Sequence, residues 1–80
     1  MKVAICDDNI NHISIIENYI NKFKKTAVEC DAYTSGEELV YSYRDKRERY
    51  DVIFLDMEME QLNGIETANL IRDMDEHVII

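Results

Sequence analysis

Two short runs of unbroken apolar residues, Val3-Ala4-Ile5-Cys6 and Val52-Ile53-Phe54-Leu55, constrain this chain most tightly. A strand that is apolar on both faces must be covered on both. That is the situation of strands inside a parallel sheet flanked by helices. Each run is followed at once by acid: Asp7-Asp8 after the first and Asp56 after the second. Residues at the carboxyl ends of such strands line the rim where open α/β sheets bind ligands.

The segments between the runs carry helical periodicity. Ile13, Ile16, Ile20 and Phe23 recur at intervals of three and four, so they share one helical face, widened by Ile10, Ile15 and Tyr19. Asn9 or Asn11 suits the helix start, and Lys22, Lys24 and Lys25 suit the negative end of the helix dipole. Val28 to Tyr33 alternates Val28, Cys30 and Ala32 with Glu29, Asp31 and Tyr33, the mark of a strand with one wet face at a sheet edge. Ser35-Gly36-Glu37-Glu38 has the form of a capping box, and Leu39, Val40 and Tyr43 supply the apolar face of the helix it opens. Arg44 to Arg49 reads as a solvated helix end and loop. A third strand is expected over Asp51 to Leu55, then a loop over Met57 to Gly64 closed by the turn pair Asn63-Gly64. Ile65, Ala68, Ile71 and Met74 mark a third helix, and Val78-Ile79-Ile80 starts a fourth strand.

Strands alternating with helices imply right-handed crossovers and a doubly wound parallel α/β sheet. The half-wet second strand belongs at an edge and the dry first and third belong inside, which gives the order 2-1-3-4. The chain then reverses direction between strands 1 and 3, and Asp7, Asp8 and Asp56 meet at that switch point.

Eighty residues make one domain, with a net charge of -8. Such a charge disfavours a grip on nucleic-acid phosphates and favours cations. No apolar run is long enough to span a membrane, and Met1 to Ala4 enters a strand without the layout of a signal peptide, so a cytoplasmic protein is expected. Cys6 and Cys30 read as buried reduced thiols, close enough to oxidise if their strands are neighbours. His12 and His77 read as surface residues, Met57 and Met59 as loop packing, and the five tyrosines as amphipathic packing.

Three carboxylates in one crevice repel one another unless a cation or a proton relieves them. A hard cation such as Mg²⁺ takes oxygen ligands and keeps several waters. Asp8 and Asp56 suit direct ligation, Asp7 a contact through water or acceptance of a hydrogen bond from a ligand water, and the backbone carbonyl of Glu58 a further ligand. A carboxylate oxygen beside such an ion can also attack phosphorus, which makes an aspartyl phosphate at Asp56 the reaction this site could support.

The segments Val3-Ala-Ile-Cys-Asp-Asp-Asn and Asp51-Val-Ile-Phe-Leu-Asp-Met-Glu-Met, followed by Asn63-Gly-Ile-Glu-Thr-Ala and Ile71-Arg72, resemble the receiver domains of bacterial two-component response regulators. In wording they are closest to receivers that precede a LytTR-type DNA-binding domain. The resemblance implies a flavodoxin-like fold with Asp56 as phospho-acceptor, Asp7 and Asp8 as Mg²⁺ acids and Glu58 as main-chain ligand. It further implies a sensor histidine kinase as phosphoryl donor, and a regulatory domain controlling an output domain rather than a turnover enzyme.

Two departures qualify it. The family usually has proline one residue after the position of Met59, where this chain has Glu60. The family's switch hydroxyl and its lysine follow strands 4 and 5, so residues 1–80 would be the front part of a receiver. Lys2 and Lys46 do not stand in for that lysine. On this view the uncovered sheet would self-associate, and a receiver-like interaction module that never turns over phosphate is the alternative function. A small Mg²⁺-dependent phosphatase with an aspartyl intermediate ranks behind both, because such enzymes show Asp-x-Asp where this chain has Asp7-Asp8-Asn9.

Overall fold

β1 (Lys2–Cys6) is the central strand, flanked by β2 (Glu29–Tyr33) on one side and β3 (Val52–Leu55) on the other, all parallel. The computed structural model describes residues 1–22 and 27–80. Its helices are α1 (Ile10–Lys22), α2 (Gly36–Arg44) and α3 (Gly64–Met74). The order β2-β1-β3 reproduces the expected arrangement of the first three strands. At the expected fourth strand one parallel bridge joins Val52 to Ile79, closed by the Ile53 N–H on the Ile79 carbonyl (2.7 Å) and the Ile79 N–H on the Asp51 carbonyl (3.1 Å).

The chain moves one way across the sheet through α1 and back the other way through α2. Right-handed crossovers therefore place these helices on opposite faces. On the α2 and α3 face, Ala4, Cys6 and Ile53 pack with Leu39, Val40, Tyr43, Ile71 and Val78 in one buried core. Val3 and Ile5 point the other way, and both are buried. Ile13 is the buried anchor of α1, while Ile16 and Ile20 are half-buried. Phe23, Lys24 and Lys25, expected in the same helix, lie outside the described residues.

The structure narrows several expected apolar faces. Ile10, Ile15 and Tyr19 are exposed, so the α1 stripe is the core spacing without its flanks. Ala32 is exposed, because the edge strand β2 has a neighbour on one side only. Ile65 is exposed and Thr67 is buried in its place, its hydroxyl donating to the Asn63 carbonyl at 2.7 Å. The α2–α3 contact is close enough that this hydroxyl fills the space beside Gly36, where a Cβ would lie 2.1 Å from Oγ1. Burial of a polar side chain at such a crossing is not visible in hydropathy. Among the described residues, no helix is long and apolar enough to cross a membrane.

Cys6 and Cys30 are both free thiols. The register pairs Val3 with Cys30, so Cys6 lies three residues further along and on the opposite face. Adjacent strands therefore do not bring the two sulfurs together.

Candidate functional site

The pairing register builds the site. Cys6 sits opposite Leu55 in the β1–β3 ladder, so the next residues, Asp7 and Asp56, leave the sheet at the same level. Backbone bonds hold both departures: the Asp7 N–H donates to the Tyr33 carbonyl at 3.0 Å, and the Asp56 N–H to the Cys6 carbonyl at 2.9 Å. Asp7 is buried, Asp56 half-buried and Asp8 exposed, a gradient from sheet interior to solvent. One carboxylate oxygen from each of Asp7, Asp8 and Asp56 lies within 4.8 Å of the others. Ligand oxygens around an octahedral ion of Mg²⁺ size are about 2.9–4.1 Å apart. The three acids therefore need only a small closure to share one hard cation, and an all-carboxylate donor set is the chemistry such an ion prefers.

Local hydrogen bonds aim the carboxylates. Asp7 Oδ1 accepts the Asn9 N–H at 2.9 Å, and Asp56 Oδ1 accepts the Glu58 N–H at 3.0 Å. Both are Asx-type turns that fold the following loop back over the strand end. Asp7 Oδ2 lies 3.1 Å from His12 Nδ1. Glu58 is exposed and takes part through its backbone N–H.

The loop after β3 is closed by α3. Asn63 caps that helix: its side chain accepts the Glu66 N–H at 2.9 Å, and the Glu66 carboxylate accepts the Asn63 N–H at 3.2 Å. This reciprocal capping box was expected instead at Ser35. There the cap forms, with the Glu38 N–H on Ser35 Oγ, but the Glu38 carboxylate takes the Thr34 hydroxyl rather than reaching back to the Ser35 N–H. The Gly64 N–H donates to the Met57 carbonyl at 3.2 Å, tying the first turn of α3 to the acid loop. Glu60 stands in this loop, followed by Gln61 with φ 58°, a left-handed conformation unusual for a residue with a side chain.

The charge of the site reaches into the core. Cys6 lies directly beneath the acids with its Sγ on the Ser35 carbonyl at 3.3 Å. Burial, reinforced by the charges of Glu38, Asp7, Asp56 and Glu37, pushes its thiol up to about 12. A cleft of about 210 Å³ opens beside the triad between Asp8, Thr34, Ser35, Met59 and Glu60. A larger hollow, about 640 Å³, lies between β2 and α2 and is lined by none of the three acids. Of the three acids, Asp8 lines the smaller cleft, so that cleft and not the larger hollow adjoins the carboxylate cluster.

Asp7, Asp8 and Asp56, read from sequence as one cluster, are brought together. The contact of His12 with Asp7 was missed. A signal for it exists: a helix starting near Ile10 directs the Cβ of its third residue back toward its N-terminus, over the end of β1.

The sequence matches the family model of the response regulator receiver domain over residues 3–80. Among solved structures, the N-terminal domain of a response regulator/sensory box/GGDEF 3-domain protein from Carboxydothermus hydrogenoformans is 26% identical with a TM-score of 0.84, covering 95% of this chain and 58% of that one. The response regulator domain of Thermotoga maritima CheB is 27% identical with a TM-score of 0.77, covering 92% of this chain and 53% of that one. CheY in a CheX-CheY-BeF3-Mg complex from Borrelia burgdorferi has the same fold at 23% identity, with a TM-score of 0.80 over 98% of this chain and 57% of that one. The chain thus spans little more than half the length of these structures. A family match over almost every residue, on a sheet whose order and register gather the acids at its rim, means that the chain belongs to the response regulator receiver domain family.

Proposed function

We propose that Asp56 accepts a phosphoryl group in a Mg²⁺-dependent reaction, and that Asp7, Asp8, Asp56 and the Glu58 backbone carbonyl hold the ion. The observation that carries this is the meeting of the three carboxylates within 4.8 Å at the mouth of the sheet. An Asp56 oxygen attacks phosphorus, a new P–O bond forms, and the bond from phosphorus to the donor breaks. With a phosphohistidine of a sensor kinase as donor, the leaving group is the imidazole nitrogen, which then takes up a proton. A bound Mg²⁺ would offset the negative charge that gathers on the phosphoryl oxygens. Asp56 is the nucleophile because it is less buried than Asp7 and is aimed by the Glu58 N–H. The resulting phosphate shifts a conformational equilibrium that an output domain, of the LytTR DNA-binding type in the resemblance above, would read.

Acetyl phosphate with Mg²⁺ is the test. The expected result is a gain of one phosphoryl mass on the chain, absent in Asp56→Ala. No gain in the presence of Mg²⁺ supports a second reading, an interaction module that does not take up phosphate. One feature favours that second reading: among the described residues, His12 is the sole ion-pair partner of the triad, with no lysine or arginine against it.

A further inference from the structure

We propose that His12 is a positioning residue for Asp7, fixing the carboxylate in the orientation from which it serves a divalent cation. The inference rests on the metal reading above and concerns the same site.

Asp7 leaves the buried end of β1, and its side chain is only 10% exposed. A buried carboxylate is costly unless its oxygens find donors. Each oxygen has one: the Asn9 N–H on Oδ1 at 2.9 Å and His12 Nδ1 on Oδ2 at 3.1 Å. In the tautomer with its hydrogen on Nδ1, the His12 ring donates to Oδ2. The two donors come from different places, one from the loop that follows the acid and one from the first turn of α1. Together they define the carboxylate plane, which a single donor would leave free to rotate. The carboxylate's remaining lone pairs stay available to the shared space with Asp8 and Asp56. The His12 side chain is itself 57% exposed and is not a member of the buried core.

Partners that orient metal ligands in this way are worth about 10–100-fold in affinity, and an exposed donor belongs at the lower end. The measurement is calorimetric titration of the chain with MgCl₂, for wild type, His12→Ala, His12→Asn and Asp8→Asn. The amide nitrogen of asparagine lies as many bonds from the backbone as Nδ1, so it can donate to the same oxygen. The expected result is an approximately tenfold weaker Kd in His12→Ala, with most of the loss recovered in His12→Asn. Wild-type affinity in His12→Ala, or equal loss in both His12 variants, overturns the proposal while leaving the metal site standing. Wild-type affinity in Asp8→Asn, or no Mg²⁺ binding by the wild type, overturns the metal reading and the role of His12 with it.

Discussion

Gly64 packs against the backbone of Asp56 so closely that a Cβ built on it would fall 2.4 Å from the Asp56 carbonyl oxygen and 2.5 Å from Met57 Cα. Its φ is not positive, so the requirement is space rather than an unusual conformation. Alanine would gain up to about 1 kcal/mol of helix propensity at an ordinary helical site. Here the clash is with main chain, which cannot swing aside as a side chain tip does. Overpacking of this kind costs about 1–3 kcal/mol. Gly64→Ala is therefore expected to be destabilising in urea melts and also to lower phosphoryl uptake at Asp56. A variant as stable and as readily phosphorylated as the wild type would mean that the α3 start does not set the acid loop.

The reciprocal bonds between Asn63 and Glu66 make a second handle on the same loop. Removing an N-cap side chain costs about 1 kcal/mol. Asn63→Ala should lower the melting temperature accordingly, whereas Asn63→Asp, which keeps an acceptor in place, should be close to neutral. Equal melting of the alanine and aspartate variants would deny the cap a role in stability.

These two residues mark what could be seen in the sequence and what could not. The dry strands β1 and β3, the edge strand β2, the order of the three and the convergence of Asp7, Asp8 and Asp56 follow from period and topology, which are local patterns with global consequences. Asn63-Gly64 was recognised as turn chemistry, but its two partners were not. The cap depends on which residue starts the helix, and the glycine depends on how near another segment of backbone comes. Ile65, expected on the apolar face, is exposed for a similar reason: α2 and α3 meet where Thr67 Oγ1 faces Gly36, and that approach depends on packing rather than on hydrophobic period. The short fourth strand was legible as apolar sequence, while its single bridge depends on what lies beside it.

The end of α3 carries an acid-sensitive contact. The Tyr43 hydroxyl, buried in the core, donates to Asp75 Oδ2 at 3.0 Å, and Asp75 Oδ1 accepts the N–H groups of His77 and Val78. Burial alone would raise the Asp75 carboxyl, but these bonds, together with the nearby Arg49 charge, outweigh it and hold it below its ordinary 3.8. A carboxyl lowered in the folded state stabilises the fold above its unfolded value, and that contribution is lost as pH falls through the folded one. Tyr43→Phe should thus cost about 0.5–1.5 kcal/mol near neutrality, with the gap to wild type shrinking in acid below the carboxylate range. A gap that is constant from neutral to strongly acidic pH would sink this assignment.

The two thiols should behave differently. Cys6 has no exposed surface and stays protonated across neutral pH, because burial and the acids above it push its thiol up to about 12. Cys30 is half-buried on the other face of the sheet, its thiol raised less severely by burial and by Glu17 and Asp31. A thiol reagent in neutral buffer should modify Cys30 slowly and Cys6 only on unfolding. Mild oxidation should give no intramolecular disulfide, since three residues of offset separate the Cα atoms by about 10 Å, beyond the reach of the bond. Two equally fast thiols, or an internal disulfide in the native chain, would contradict the register.

The outer edge of β3 bears on how this chain behaves alone. Among the described residues its pairing on that side is one bridge, to Ile79, and Phe54 on the strand is 43% exposed beside the exposed Ile79 and Ile80. An open strand edge with apolar neighbours is a template for another strand. The chain is expected to self-associate in a concentration-dependent way, measured by light scattering coupled to size-exclusion chromatography. Ile79→Lys should weaken that association, because a charge at an edge opposes pairing with a second edge, and its exposed position means little is lost from the fold. A chain that stays monomeric at every concentration and melts reversibly in one step would show that the edge is already satisfied. If Ile79→Lys associates as the wild type does, the contact lies elsewhere, and the exposed face of α1 around Ile15 and Tyr19 becomes the surface to probe.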